Sequence, residues 1–223
     1  MDMSLLAAQL INGLQLGILL FLLASGLSLI FGIMDFVNLA HGSLYMVGAF
    51  FCATLTQWTG NFIWGVILAL PATAVVGLLV ELIVVRKLYQ RDHLDHVLAT
   101  FGLILVFDTA TQMIWGPDGI VVPLPAWLDG RVILFSDIVL PTYRIAIISV
   151  GLVVALGLFL IVTQTRLGMR IRAGASNRDM IGALGVDINL LFTLVFAMGA
   201  VLAGLAGMMI APITEASVGM GNG

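Results

Sequence analysis

Long apolar runs alternate along the chain with short polar ones. Six runs approach the length of a membrane-crossing helix, at about residues 9–33, 43–58, 61–85, 97–115, 143–163 and 188–212. A helix rises about 1.5 Å per residue, so roughly 20 apolar residues are needed to cross a hydrocarbon core about 30 Å thick. The runs are continuously apolar, which favours helices over the alternating pattern of a β-barrel. In lipid every backbone N–H and C=O has to be satisfied within its own segment, and the helix is the default solution. The second run, 43–58, is short and bracketed by glycine, and reads as a tilted, broken or re-entrant piece. The first run reads as a retained helix rather than a signal peptide, because residues 1–8 carry no Lys or Arg and the run exceeds an ordinary signal core.

Composition turns this pattern into a class. Of 223 residues, 61% are hydrophobic and 9% are charged, against roughly 25% charged in an ordinary soluble domain. So few charges cannot cover a water-facing surface, and a soluble globular chain is excluded. The expected fold is an all-α integral membrane protein, a polytopic helical bundle occupying residues 1–223 as a single domain. Nine Lys and Arg against twelve Asp and Glu leave a net charge of -3, with no basic surplus for nucleic acid. A lone cysteine, Cys52, excludes a disulfide framework and any multi-cysteine zinc site.

The basic residues set the orientation. The loop at 86–96 holds Arg86, Lys87 and Arg91, and the loop at 164–187 holds Arg166, Arg170, Arg172 and Arg178, whereas 116–142 holds only Arg131. The positive-inside rule puts the first two in the cytoplasm and 116–142 outside, where five prolines and glycines at 116–125 suggest an ordered turn. If all three early segments cross, the N-terminus is also outside. Small residues at four-residue spacing, Gly199, Ala203 and Gly207 with Ala200 and Gly204, and Gly13 with Gly17, read as helix–helix contacts.

Three polar features stand out. Asp35, Asn38 and His41 would share one face of a helix, either lining a pathway or ending a helix among headgroups. Thr100, Asp108, Thr111 and Gln112 fall on one stripe of the fourth run. Asp108, about halfway along, could meet a zwitterionic solute or bond a neighbouring helix. In the loop 164–187, Ser176 and Asp179 resemble a capping box opening a short helix. Met180, Ile181 and Leu184 form its apolar stripe, and Gly185 is a natural stop. Such a helix either lies on headgroups or inserts into a partner's groove. His93 and His96, beside Asp92 and Asp95, read as a solvated link rather than a metal site. The chain has no G-x-x-x-x-G-K-[ST] phosphate loop and no converging Ser/His/Asp set, so no enzymatic machinery is visible.

Gly32-Ile33-Met34-Asp35-Phe36-Val37-Asn38-Leu39-Ala40-His41-Gly42, running on through Tyr45-Met46-Val47-Gly48-Ala49, resembles the N-terminal signature of LivH-type branched-chain amino acid ABC transporter permeases. Glu81 to Arg91 followed by Ala99-Thr100-Phe101-Gly102-Leu103 resembles that family's next basic loop and helix start. Arg172-Ala173 through Gly185-Val186-Asp187 resembles its ATPase-coupling loop. The likeness covers about residue 9 to the end. It implies a permease subunit in a bacterial inner membrane, working with two cytoplasmic ATPases, a second related permease and a periplasmic solute-binding protein, and needing no cofactor. It also implies that Ser176 to Gly185, with Arg178, Asp179, Met180, Ile181 and Leu184, is a coupling helix flanked by Arg170 and Arg172. Asn38, His41 and Thr100 would lie by the translocation path, with Asp108 at a looser match, and Trp127, Asp129, Arg131 and Asp137 would face the binding protein. Urea or amides are alternative solutes, and an ion-coupled carrier built on Asp108 or a non-transporting scaffold are alternative classes. Family members continue with further helices beyond the segment matching 188–212, so a chain stopping at Met220-Gly221-Asn222-Gly223 is expected to be C-terminally incomplete.

Overall fold

The computed structural model describes residues 3–133 and 139–221. Its elements are α1 (Met3–Met34), α2 (His41–Thr59), α3 (Phe62–Ile83), a 3-10 turn (Val85–Leu88), α4 (His93–Trp115), α5 (Thr142–Gln164), α6 (Arg166–Ser176), α7 (Arg178–Ala183) and α8 (Ile188–Thr214). Five helices, α1, α3, α4, α5 and α8, are long and apolar enough to cross a membrane. They match the predicted runs to within a few residues. A two-stranded ribbon, β1 (Arg131–Ile133) antiparallel to β2 (Val139–Pro141), stands outside the helical pattern.

α8 is the axis, and its small residues explain why. Gly199 abuts Ile30 and the Gly26 carbonyl of α1. Gly204 meets Gly48 of α2 and Thr73 of α3, and Gly207 lies against the backbone of Tyr45 in α2. A methyl group at Gly48 or Gly207 would overlap backbone across the interface, so α2 and α8 approach as closely as they do only because these positions are glycine. The similar pair on α1 behaves differently. Nothing lies within 4 Å of a methyl placed at Gly13 or Gly17, so that half of the expected small-residue packing does not occur among the described residues.

The second run is neither broken nor a simple crossing. α1 ends at Met34, Asp35 takes a left-handed conformation (φ 51°), and the chain turns back into the bundle. The His41 ring nitrogen Nε2 then lies 3.0 Å from the carbonyl oxygen of Leu23. Leu23 is a long way back along α1 from Met34, about 16 Å at 1.5 Å per residue. α2 therefore starts inside the bundle and runs unbroken to Thr59, where Gly60 (φ 68°) stops it with its N–H on the Thr56 carbonyl. Its middle packs Phe50 and Phe51 against Trp115, whose indole N–H donates to Thr54 at 2.7 Å.

These contacts fix the direction of each helix. The turn at 35–40, the segment 84–92 and α6–α7 gather at one end, together with seven of the nine Lys and Arg: Arg86, Lys87, Arg91, Arg166, Arg170, Arg172 and Arg178. The positive-inside rule predicts that this end faces the cytoplasm. α1 runs towards it. At the other end Ile120 bridges Ala216, and Thr142 N–H donates to the Gly130 carbonyl at 2.9 Å, so the segment after α4 is tied to the end of α8 and the start of α5. Leu105, Val106 and Met113 on α4 and Leu152, Val153 and Leu156 on α5 point outwards, as suits faces that meet lipid or other helices.

Gly207→Ala is expected to destabilise the protein in detergent by about 1–3 kcal/mol through overpacking at Tyr45. Gly13→Ala and Gly17→Ala should stay within about 0.5 kcal/mol of the parent. Thermal unfolding of the three variants, monitored by size-exclusion chromatography, checks the contrast.

Candidate functional site

The turn that feeds α2 is the polar heart of the bundle. Residues 35–38 are irregular rather than helical, so Asp35, Asn38 and His41 do not share a helical face, contrary to the sequence expectation. The reason is the left-handed Asp35, which ends α1 and separates the three residues by depth. Asp35 stays at the cytoplasmic edge, more than half exposed, with His93 Nε2 3.9 Å from its carboxylate. Asn38 and His41 are buried. Both amide atoms of Asn38, the Nδ1 of His41 and the hydroxyl of Ser43 are buried without a protein hydrogen-bond partner. Unmet polar groups in such surroundings are costly, so this is where the bundle has spare capacity for a polar solute or water.

α4 closes the turn from the side. The Leu39 N–H donates to the Thr100 hydroxyl oxygen at 3.3 Å, and that hydroxyl donates to the His96 carbonyl at 2.7 Å. Thr100 thus pins the turn through the backbone of Leu39, the residue after Asn38. His96 is not a solvated link: it is buried, its ring 4.5 Å from that of Phe36 and its Nε2 2.9 Å from the Leu88 carbonyl. His93 alone is exposed. No group of three or more His, Cys, Asp or Glu comes together among the described residues in a way that could hold a metal. Asp108 is half-buried and sits about 12 Å further along α4. The expected stripe divides, with Thr100 and Thr111 buried and Gln112 exposed.

The cytoplasmic segment is helical almost throughout. α6 opens with the Thr165 hydroxyl accepting from Gly168 N–H at 3.0 Å. It buries Gly168, Ile171 and Gly174 and turns Arg166, Arg170 and Arg172 outwards, with the Arg172 guanidinium donating to the Val162 carbonyl. Ser176 is the last residue of α6 and not the cap of the next helix. Asn177 caps α7, its Oδ1 accepting from Met180 N–H at 2.9 Å. Both residue types can cap, and the extended backbone at Asn177 (φ -157°) decides between them. At the other end Gly185 (φ 86°) donates to Gly182 and Val186 donates to Ile181, the paired bonds of a Schellman stop. The apolar stripe divides too. Ile181 is 6% exposed and anchors α7 on the bundle, whereas Met180 and Leu184 are 65% and 78% exposed. Arg178 sets its guanidinium 6.0 Å from the centroid of Phe192, and Asp179 is exposed.

One site went unnoticed in the sequence. Glu81, near the cytoplasmic end of α3, is fully buried and receives both Nε and Nη2 of Arg86 at 3.2 Å, the Thr193 hydroxyl at 2.9 Å and the Tyr89 hydroxyl. Burial and the adjacent carboxylate push the Tyr89 phenol well above its ordinary value, so it stays a donor. The signal was present as one acid late in an apolar run with an Arg five positions on, a pattern that marks a paired intramembrane charge. On the outer side Trp127, Asp129 and Arg131 are exposed around the buried Leu128, and Asp137 lies outside the described residues.

The described residues thus form a multi-pass helical membrane bundle with a polar turn at its centre and a capped short helix on its basic end. The family model described as branched-chain amino acid transport system / permease component matches residues 9–223, and the chain belongs to that family. It is 29% identical over 215 residues to the high-affinity branched-chain amino acid transport system permease protein BraD of Pseudomonas aeruginosa, covering 91% of this chain and 69% of that one. It is 25% identical over 218 residues to the corresponding LivH of Salmonella typhimurium, with the same coverage of 91% and 69%. It is 27% identical over 202 residues to a probable LivH of Methanocaldococcus jannaschii, covering 85% and 61%. No solved structure matches the chain significantly. The relatives are permease components rather than enzymes.

Asn177→Ala should remove about 0.5–2 kcal/mol from α7, which shows as faster hydrogen exchange of the amides of 178–184 than in the parent. Ser176→Ala should leave that exchange unchanged.

Proposed function

We propose that the chain is the membrane-spanning subunit of an ATP-binding-cassette importer for branched-chain or related amino acids in a bacterial inner membrane. It would work as one permease domain beside a second related permease, two cytoplasmic ATPases and a periplasmic solute-binding protein. The observation that carries this reading is α7, a helix capped at both ends on the basic face that holds itself by Ile181 and leaves Met180 and Leu184 exposed. A helix of this length has little stability alone, so its caps and anchor make sense as the means of holding an outward-facing surface rigid. An ATPase groove closing on it would tilt the attached α6 and α8 as a body.

The solute would pass the turn that starts α2, where Asn38, His41 and Ser43 have unmet hydrogen-bonding groups and Thr100 pins the backbone. Asp108 would lie further along the same route on α4. The binding protein would dock on the outer segment around Trp127, Asp129 and Arg131. Arg170 and Arg172, on the exposed side of α6, would steer the ATPase surface, and Ser176 to Gly185 would be the segment it grips.

Full burial of a Met or Leu side chain contributes about 1.5–3 kcal/mol. Losing both contacts should weaken the ATPase interface by about a hundredfold or more. The double variant Met180→Asp/Leu184→Asp is therefore expected to reach the membrane in normal amounts yet lose at least tenfold in ATP-driven uptake. Ile181→Asp, which buries a charge, should instead reduce the amount of folded protein. Normal uptake by the Met180→Asp/Leu184→Asp variant would contradict the coupling role.

A further inference from the structure

We propose that Glu81 is the hub of a rigid relay that carries displacement of α7 into α3 and α8. The inference rests on the coupling role proposed for α7 and adds the route by which motion leaves it.

Glu81 ties together three separate pieces of the chain. Its own backbone is α3, Arg86 and Tyr89 belong to the turn that follows, and Thr193 is on α8. Arg86 forks onto both carboxylate oxygens at 3.2 Å and also donates from Nη2 to the Thr193 hydroxyl oxygen at 2.8 Å, so the partners bond to each other as well as to the acid. The carboxylate has no exposed surface. Removing any one arm would leave a buried charge short of a donor, which is far more costly than the arm is worth in isolation. Networks of this kind hold together or fail together. The end of α3, the 84–92 turn and the first turns of α8 consequently move as one piece.

The link to α7 is adjacent to this knot. Phe192, next to Thr193, is buried, and the Tyr89 ring meets it edge-on at 5.0 Å and 83°. Arg178, the first residue of α7, sits over the same ring at 6.0 Å. A single turn of α8 thus carries the ring that touches α7 and the hydroxyl that holds Glu81. A push on α7 reaches Phe192 through Arg178, Tyr89 through Phe192, and α3 through Glu81. Tyr89 has two separable roles in this route, since its ring takes up the contact and its hydroxyl passes it on.

The test uses the complete transporter, with its ATPases and second permease, in proteoliposomes. Complex yield, ATP hydrolysis and solute uptake are measured for the parent, Glu81→Gln, Tyr89→Phe and Met180→Asp/Leu184→Asp. Glu81→Gln keeps the shape of the side chain and removes the charge. It is expected to assemble and hydrolyse ATP while moving at least tenfold less solute per ATP. Tyr89→Phe keeps the ring on Phe192 and should lower the same ratio about threefold. If both variants keep the parent's solute-per-ATP ratio, Glu81 only holds the fold together and the relay is overturned. Should Glu81→Gln fail to assemble, Tyr89→Phe decides, and an unchanged ratio there overturns the relay. Uncoupling by Met180→Asp/Leu184→Asp with no effect of the other two sinks the relay alone. Normal uptake by that double variant sinks the coupling role of α7 and the relay with it.

Discussion

The backbone contact between α2 and α8 is the constraint from which the rest follows. Gly48, Gly204 and Gly207 let the two helices touch without intervening side chains, and Gly199 does the same for α1. With lipid outside there is no hydrophobic gain from bringing helices together, so close packing has to supply the adhesion. α2 is thereby held at the centre of the bundle. The chain can reach that position only by turning back from the end of α1, and the turn carries Asn38, His41 and Ser43 into the buried interior. Phe36, Asn38 and Ala40 of this irregular turn are buried in protein, which is the condition under which irregular backbone survives at membrane depth.

The cytoplasmic face is organised by capping and by charge. Thr165, Asn177 and Asp187 each open a helix with a side-chain oxygen, so α6, α7 and α8 follow one another with almost no loop. Gly185 ends α7 and allows the reversal into α8. Beneath them Glu81 fixes the neighbouring turn to α8. A short helix mounted this firmly can transmit a push, where a flexible loop would absorb it.

Much of this was legible from the chain itself. The apolar runs at 61–85, 143–163 and 188–212 became Phe62–Ile83, Thr142–Gln164 and Ile188–Thr214, because length and continuous hydropathy are enough to specify a span. Glycine spacing identified the packed face of α8 but also suggested one at Gly13 and Gly17, since a periodic pattern does not say whether a neighbour is present. Asp35, Asn38 and His41 were placed on one face because a three-residue spacing assumes a helix, and one left-handed residue removes it. Ser176 and Asn177 are adjacent and both able to cap, and only the backbone conformation separates them. The stripe Met180, Ile181, Leu184 looked uniform, yet tertiary packing divides it into an anchor and an exposed pair. Glu81 is a single acid in an apolar run, and its three partners are far less visible in one dimension than in three.

The central claim is that the exposed side of α7 is an ATPase-binding surface. The most direct measurement places a photo-crosslinking residue at Met180, Leu184 or Ile181 of the protein in its native membrane and identifies the adducts by mass spectrometry. The account predicts adducts to an ATP-hydrolysing subunit from positions 180 and 184, and none from the buried position 181. Adducts to lipid alone from both exposed positions would contradict it, because α7 would then rest on the membrane surface and could not receive work from ATP.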